Sequence, residues 1–369
     1  MYLKSLSLIN FKNYQEAELK FSPTINCFTG NNGAGKTNLL DAIHYLSLCK
    51  SYFNSIDSQQ IRDDADFFML QGQFEKQDRE ELISCAVKRN QKKQFRRNKK
   101  EYDRLADHIG LFPVVMISPY DISLILEGSE ERRRFIDNAL SQTDAQYLDE
   151  LIAYNKALAN RNSLLKAFQL NGRSDDDLLE IFTEKLIQLG KQIYRKRQLF
   201  MEIFTGLFTA HYLFISEEAE TVSLAYHSQL HDSDYESGMT ASLQRDRIAE
   251  RTNFGIHKDD LEFRIRAMPL KKFASQGQQK SFLIALKLAH YSYLKMKTGI
   301  KPILLLDDIF DKLDDSRIRQ LMQMVVQDEF GQIFVTDTNR EKVERVFREI
   351  DREINIISVH SGSIETTKV

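Results

Sequence analysis

The sequence predicts an α/β fold interrupted by a helical insertion, and three observations carry that expectation. A glycine-rich loop, GNNGAGKT at residues 30–37, lies between a strand pattern and a helix pattern. A fully apolar run, ILLL at 303–306, stops abruptly on two aspartates. Between them, residues 130–215 carry two long helical patterns joined by the polar turn NGRSDDD, a helical hairpin by length and punctuation.

The strands come from both ends of the chain. LKSLSLIN, EAELKF and TINCFTG open the sequence as strand patterns, and TNLLDAIHYLSL follows with helical spacing. From about residue 67 to 118 the pattern is β again, in FFMLQGQF, ELISCAVK and PVVMIS, with a basic segment between the last two. TVSLAY and LEFRIRAM read as short strands separated by HSQLHDSDYESG, expected to be an exposed loop. FLIALKLAHYSYL reads as a buried helix, and KPILLLDD and GQIFVTDT as buried strands.

A chain of 369 residues can bury a substantial core. Its net charge of −2 argues against a generally basic nucleic-acid protein, so any nucleic-acid surface has to be a local patch. Cys27, Cys49 and Cys85 form no CxxC pair and no metal-ligand spacing, which points to a reducing compartment. The first residues lack the apolar core of a signal peptide, and no apolar run approaches the roughly 18 residues of a membrane span. A cytoplasmic protein is expected.

GNNGAGKT matches G-x-x-x-x-G-K-[ST], in the setting of strand, loop and helix that the chemistry needs. Glycines let the backbone turn its N–H groups inward around phosphates, and the following helix points its positive end at the same anions. The candidate nucleotide-binding residues are Gly30, Asn31, Asn32, Gly33, Ala34, Gly35, Lys36 and Thr37. Lys36 brings positive charge to the β- and γ-phosphates of ATP, and the Thr37 hydroxyl is a ligand for Mg²⁺. A chance match is expected in about one chain in a hundred of this length, before the strand and helix context is counted.

ILLLDDIF reads as a buried strand that ends in a metal and water site. Asp307 is placed to hold the Mg²⁺ shell, and Asp308 to orient or deprotonate the attacking water. Without the phosphate loop, two aspartates simply cap a strand. Asp308 is one methylene shorter than the glutamate common at this position in fast ATPases, so slow hydrolysis is expected. A kinase would need a second substrate pocket, for which no residues stand out.

The segment ASQGQQKSF, residues 274–282, starts a buried helix on a donor-rich loop. Ser275, Gln276, Gly277 and Gln278 lie at the helix N-terminus, where free N–H groups and the helix dipole favour an anion. The chain's own phosphate loop already surrounds its nucleotide on one side. A second anion-binding helix end is best used on the γ-phosphate held by another copy, so two chains would close head to tail around two ATP molecules.

These three motifs together resemble the ATP-binding-cassette superfamily and its DNA-repair branch. More closely, the chain resembles the RecF family of bacterial recombination mediators. The matching segments are LSLINFKNYQEAELKF, GNNGAGKTNLLDAIHYLSLCKS, ISPYDISLILEGSEERRRFID, LANRNSLLK, GIHKDDLEF, ASQGQQKSFLIALKLA and LLLDDIFDKLD, in the family's order. The chain departs from the family pattern at Glu130 in place of proline, at Ile256 and Lys258 in GIHKDDL, and at Asp311, Lys312, Leu313 and Asp314 after the double aspartate.

The resemblance implies an ATPase head with a mixed sheet and a helical second lobe. On that reading, residues 1–118 and 275–369 form the ATPase lobe and residues 119–274 the helical lobe. It also implies a weak DNA-stimulated ATPase that dimerises on ATP and binds gapped DNA and single–double strand junctions. It implies work with RecR and RecO to load RecA.

KRNQKKQFRRNKK, residues 88–100, holds eight Lys or Arg in thirteen positions. It reads either as a hairpin tracking phosphates, through Lys92, Lys93, Arg96, Arg97, Lys99 and Lys100, or as a solvated charged hairpin. Arg132, Arg133 and Arg134 have three open roles: DNA, nucleotide or an internal ion pair. His257 and Lys258 have either a structural or a binding role. An alternative function is a head of the chromosome-structure type, but residues 130–215 hold tens of helical residues, not the hundreds of a long coiled coil. A transporter ATPase subunit would leave the helical hairpin unexplained.

Overall fold

The computed structural model describes residues 1–171, 175–216, 220–309, 315–326, 330–348 and 354–368. The chain divides into two units. One contains Met1–Ile122, Ala210–Ala219 and Ser275–Val369, and the other Ser123–Thr209 and Glu220–Ala274. The segment Ala210–Ala219, read from the sequence as part of the helical lobe, belongs to the first unit.

The first unit is built on two six-stranded sheets. One is antiparallel, in the order β2-β1-β4-β5-β6-β7, from Tyr14–Lys20 (β2), Tyr2–Phe11 (β1), Phe67–Lys76 (β4), Arg79–Lys88 (β5), Gln94–Arg97 (β6) and Lys100–Glu101 (β7). The other is mixed, in the order β15-β14-β3-β13-β12-β8. Its members are Ser363–Lys368 (β15), Ile354–His360 (β14), Ile25–Thr29 (β3), Ile333–Asp337 (β13), Ile303–Leu306 (β12) and Val114–Ile117 (β8). Strands β14, β3, β13, β12 and β8 run parallel, and β15 returns antiparallel along β14.

Strands β3, β8, β12 and β13 are buried along their whole length. That burial is why they read as apolar runs, without the alternation of β2 and β5. Helix α1 (Lys36–Leu48) packs against strands of both sheets. One core therefore joins Leu6, Phe11 and Phe68 of the antiparallel sheet to Leu39, Ile43 and Leu46 of α1 and to Phe28, Leu305 and Phe334 of the mixed sheet. Helix α8 (Gln276–Thr298) packs on β8 and is buried through its middle, from Ser281 to Leu294 apart from Ser292. Helices α9 (Asp315–Val326) and α10 (Arg340–Arg348) complete this unit. Cys27, Cys49 and Cys85 are buried free thiols.

The second unit holds α2 (Ser123–Leu126), α3 (Ser129–Ser141), α4 (Ala145–Asn171), most of α5 (Asp176–Ser216), α6 (Tyr235–Ala249) and α7 (Leu270–Phe273). A small antiparallel sheet, β11-β10-β9, comes from Met268–Pro269 (β11), Asp260–Ile265 (β10) and Val222–His227 (β9). The first of the two long helical patterns is two helices. Asp144 interrupts it and starts α4 anew, its carboxylate accepting from the Tyr147 N–H at 2.8 Å.

The exposed connection expected at 227–238 runs only to Asp234, which caps α6, so its last four residues are the start of that helix. The buried face of α6 is Tyr235, Met239, Ser242 and Asp246, helical spacing disguised by polar members. The Asp246 carboxylate pairs with Arg161 at 2.8 Å, both side chains being fully buried. Opposite Tyr235, α5 carries Gly190, where a Cβ would sit 2.4 Å from the tyrosine ring. A second buried guanidinium, Arg197, is held by Asp137 and Asp259, both at 2.8 Å, and by the Ile256 carbonyl at 2.9 Å.

Helix α5 corrects the sequence reading on apolar runs. By length and composition it could cross a membrane, with an 18-residue window of mean hydropathy 1.4. Its buried aromatics in the second unit, Phe200, Phe204 and Phe208, recur every fourth residue, so they form one core-facing stripe.

Three histidines of the first unit make stability pH-dependent. Burial drives the imidazoles of His44 and His108 down to about 4 and that of His290 to about 3. A folded pKa below the unfolded one means that the unfolded chain takes up protons first. The stability these groups contribute is therefore complete above about pH 6.5 and is lost as pH falls toward 4. We expect the unfolding free energy from urea titrations, and the urea midpoint with it, to fall steadily from pH 6.5 to 4.5, the free energy by on the order of several kcal/mol. A midpoint that stays flat over this window would contradict the buried neutral imidazoles.

Candidate functional site

Strand β3 delivers the chain into Gly30, whose φ of 152° and surroundings admit no side chain. A Cβ there would lie 2.2 Å from the Val359 carbonyl oxygen on β14. Gly33 and Gly35 follow in the left-handed region at φ 78° and 114°. The outer side of the loop is pinned by carbonyl contacts. Asn13 Nδ2 and the Gly362 N–H donate to the Ala34 oxygen at 3.0 and 3.1 Å, and the Tyr14 hydroxyl donates to the Gly35 oxygen at 3.1 Å. Asn13, Tyr14 and Gly362 were not read as site residues, because their role depends on the β1–β2 and β14–β15 turns meeting the loop.

Gly35 caps α1 without any side-chain hydrogen bond, and no acidic residue lies in the first turn of α1. That turn therefore presents backbone N–H groups and positive helix-end potential, the ordinary requirements of an anion site. The Lys36 ammonium is nearly buried and folds back on the loop, donating to the Gly30 and Asn31 carbonyls at 2.7 and 3.0 Å.

Asp307, at the end of β12, is the centre of the site. Its N–H donates to the Ile117 carbonyl at 2.8 Å. Its Oδ1 accepts from the Thr37 hydroxyl at 2.8 Å and the Thr336 hydroxyl at 2.9 Å, and its Oδ2 from the Ser118 hydroxyl at 3.3 Å. Burial raises the pKa of this carboxyl, and the three hydroxyl donors oppose the rise. Ser118 and Thr336 escaped the sequence reading. Their available signal was position: each is a polar residue at the carboxyl end of a buried parallel strand, where α/β sheets place their ligands.

Asp308 turns away from the strand, in the left-handed region at φ 50°, and its N–H donates to the Thr336 hydroxyl at 2.8 Å. Its Oδ1 is buried without a hydrogen-bond partner. A hydroxyl beside one carboxylate, with an unsatisfied second carboxylate oxygen on the next residue, is a donor set of hard oxygens that suits Mg²⁺. Thr37 and Asp307 are thus in direct contact, with Lys36 and Asp308 as their neighbours along the chain.

The α8 N-terminus is organised separately. Ser275 is its cap, and with Gln278 it forms a reciprocal capping box. The Ser275 N–H donates to Gln278 Oε1 at 2.7 Å and the Gln278 N–H to Ser275 Oγ at 3.3 Å. A Cβ at Gly277 would meet only ordinary contacts, with Arg317 at 3.5 Å. Ser275 and Gln276 are exposed. Asp311, Lys312, Leu313 and Asp314 lie outside the described residues.

The basic segment is a hairpin of β5, β6 and β7, and its cations are not equivalent. Lys93 turns inward, pairing with Asp57 at 2.8 Å and donating to the Cys49 carbonyl at 2.6 Å. Arg97 grips Glu81 with two bonds, at 2.9 and 2.5 Å. Lys92, Arg96, Lys99 and Lys100 are exposed. In the second unit Arg132 is an internal ion pair with Asp260, at 2.7 Å, and Arg134 pairs with Glu130 and Glu131 on the surface. Arg133 donates to Ser129 Oγ and the Asp259 carbonyl. His257 has two structural partners, the Tyr154 hydroxyl and the Thr252 carbonyl.

Residues 2–365 match the sequence profile of the RecF/RecN/SMC N-terminal domain. A DNA replication and repair protein RecF from Flavobacterium johnsoniae is 48% identical over 359 residues, spanning 97% of this chain and all of the relative. The protein of the same name from Bacteroides thetaiotaomicron is 48% identical over 366 residues, 99% of this chain and 98% of its own length. A solved structure of the recombination mediator protein RecF with ATP, in the RecFOR pathway, superposes with a TM-score of 0.90 at 31% identity, covering 99% and 97% of the two chains. An Smc head domain from Pyrococcus furiosus shares the fold, with a TM-score of 0.58 at 18% identity. With an ATPase head of this type, matched over nearly its full length, the chain belongs to the RecF family of DNA replication and repair proteins.

Proposed function

We propose that this protein is an ATP-switched, DNA-binding recombination mediator. ATP would close two copies head to tail on gapped DNA and single–double strand junctions, where they act with RecO and RecR to help load RecA. The observation that carries this reading is the Thr37–Asp307 contact, which joins the phosphate loop to the end of β12 in the same unit as an exposed, serine-capped helix end. The solved relatives with ATP or an ATP analogue, named for the RecFOR pathway, support it.

In this reading the loop amides and Lys36 hold the β- and γ-phosphates, exchanging the carbonyl contacts of Lys36 for phosphate oxygens. Thr37 and Asp307 hold Mg²⁺, which when bound neutralises charge developing on the transferred phosphoryl oxygens. Asp308 orients the attacking water and takes its proton. The Ser275 hydroxyl and the first N–H groups of α8 complete the γ-phosphate site of the other copy. Hydrolysis is slow, DNA-stimulated, and serves to release the closed dimer.

Two outcomes are expected. Asp308→Asn should keep ATP affinity and lower the hydrolysis rate by on the order of a hundredfold or more, the contribution of a general base. Single-turnover measurement at the normal rate would assign the water to another group. Replacing Lys92, Arg96, Lys99 and Lys100 by glutamine should weaken binding to gapped DNA in the presence of ATP. It should also reduce the slope of log affinity against log salt by up to about 3. An unchanged slope would make the hairpin a solvated surface.

A further inference from the structure

Lys287 lies in the buried middle of α8, where a charge has to be held by something. Its ammonium pairs with Asp121 Oδ1 at 2.7 Å and donates to the Tyr52 hydroxyl at 2.8 Å, and the Tyr52 hydroxyl in turn donates to Asp121. The Lys287 and Asp121 side chains are 7% and 5% exposed. A buried ion pair of this kind is a weak source of stability, since apolar residues of similar volume serve the core as well. Its hydrogen bonds suggest what else it does.

The second oxygen of Asp121 accepts the Ser118 N–H at 2.8 Å and so fixes the turn that leaves β8. Ser118 Oγ accepts from the Tyr120 N–H at 3.5 Å, which leaves its proton for Asp307 Oδ2, at 3.3 Å. On the other side of the same turn, the Ile117 carbonyl takes the Asp307 N–H at 2.8 Å. Tyr52 anchors the pair to α1 as well, because its N–H donates to Asp41 Oδ1 at 2.7 Å, and α1 begins with Lys36 and Thr37. Every link in this chain lies within the first unit.

We propose that Lys287 is a positioning residue for the Asp307 carboxylate, acting through Asp121 and Ser118. Lys287 holds Asp121, Asp121 holds the Ser118 backbone, and the Ser118 hydroxyl sets the direction of Asp307 Oδ2. The oxygen that faces Thr37 is thereby kept in place for a divalent cation. The proposal rests on the reading of Asp307 as the metal carboxylate.

The test is the Mg²⁺ dependence of binding of a fluorescent ATP analogue, with binding in EDTA and urea unfolding measured alongside. Ser118→Ala cuts the last link without leaving a buried charge. Lys287→Met with Asp121→Asn removes the ion pair as a neutral replacement, so both variants are expected to fold. Each should raise the Mg²⁺ concentration for half-maximal binding by on the order of tenfold, the usual cost of losing an outer-shell partner, and leave binding in EDTA unchanged. Lys287→Arg should restore most of the Mg²⁺ response. Folded variants with the unmodified Mg²⁺ dependence, beside an Asp307→Asn variant that shifts it, would overturn the positioning role alone. An Asp307→Asn variant with unaltered Mg²⁺ dependence would overturn the metal assignment and the positioning role with it.

Discussion

The carboxylate of Asp307 is the constraint around which the first unit is arranged. Hydroxyls reach it from the start of α1, from the end of β8 and from the end of β13, and its own N–H closes the β8–β12 pairing. A buried carboxylate costs free energy unless it is hydrogen-bonded, and three donors offset that cost here. Two of these bonds join segments far apart in sequence, Thr37 and Ser118 lying 270 and 189 residues from Asp307. The order of strands in the mixed sheet permits this convergence. β3 with its loop, β13, β12 and β8 lie side by side, and their carboxyl ends share one group.

The phosphate loop is held from outside by neighbouring turns, and its own Lys36 folds back on it. The turns after β1 and β14 take the carbonyls of Ala34 and Gly35, and the Val359 carbonyl leaves no room for a side chain at Gly30. Such a loop is partly preorganised, because the Ala34 and Gly35 carbonyls are already turned outward, whereas those of Gly30 and Asn31 accept from Lys36. The α8 N-terminus is built in another way. Its capping box satisfies Ser275 and Gln278 against each other, so an incoming anion has to exchange with bonds the helix already makes.

What the sequence revealed and what it hid divide along physical lines. Fully buried parallel strands and a glycine-rich loop are local patterns, so β3, β8, β12, β13 and residues 30–37 were legible. Helix α6 was not, because half of its buried face is Ser242 and Asp246, and polar residues look buried only once Arg161 is found to pair with them. The break between α3 and α4 was hidden because Asp144 interrupts the helical pattern for only three residues. Asn13, Ser118, Thr336 and Gly362 were beyond a reading by motif, since each acts through a partner distant in sequence. The basic segment was legible as charge but not as chemistry. Lys93 and Arg97 are committed to Asp57 and Glu81, and only the tertiary structure distinguishes them from Lys92 and Lys99.

The central claim is that the Asp307 site of one copy is completed by the α8 N-terminus of another. Mixing Ser275→Arg protein with Lys36→Ala protein tests it most directly, because each variant lacks a different half of the same composite site. Each variant alone should hydrolyse ATP far below the unmodified rate. An equimolar mixture should recover up to roughly a quarter of that rate, since a mixed dimer holds one complete and one doubly broken site. A mixture that hydrolyses no faster than the mean of the two separate variants would contradict assembly between chains.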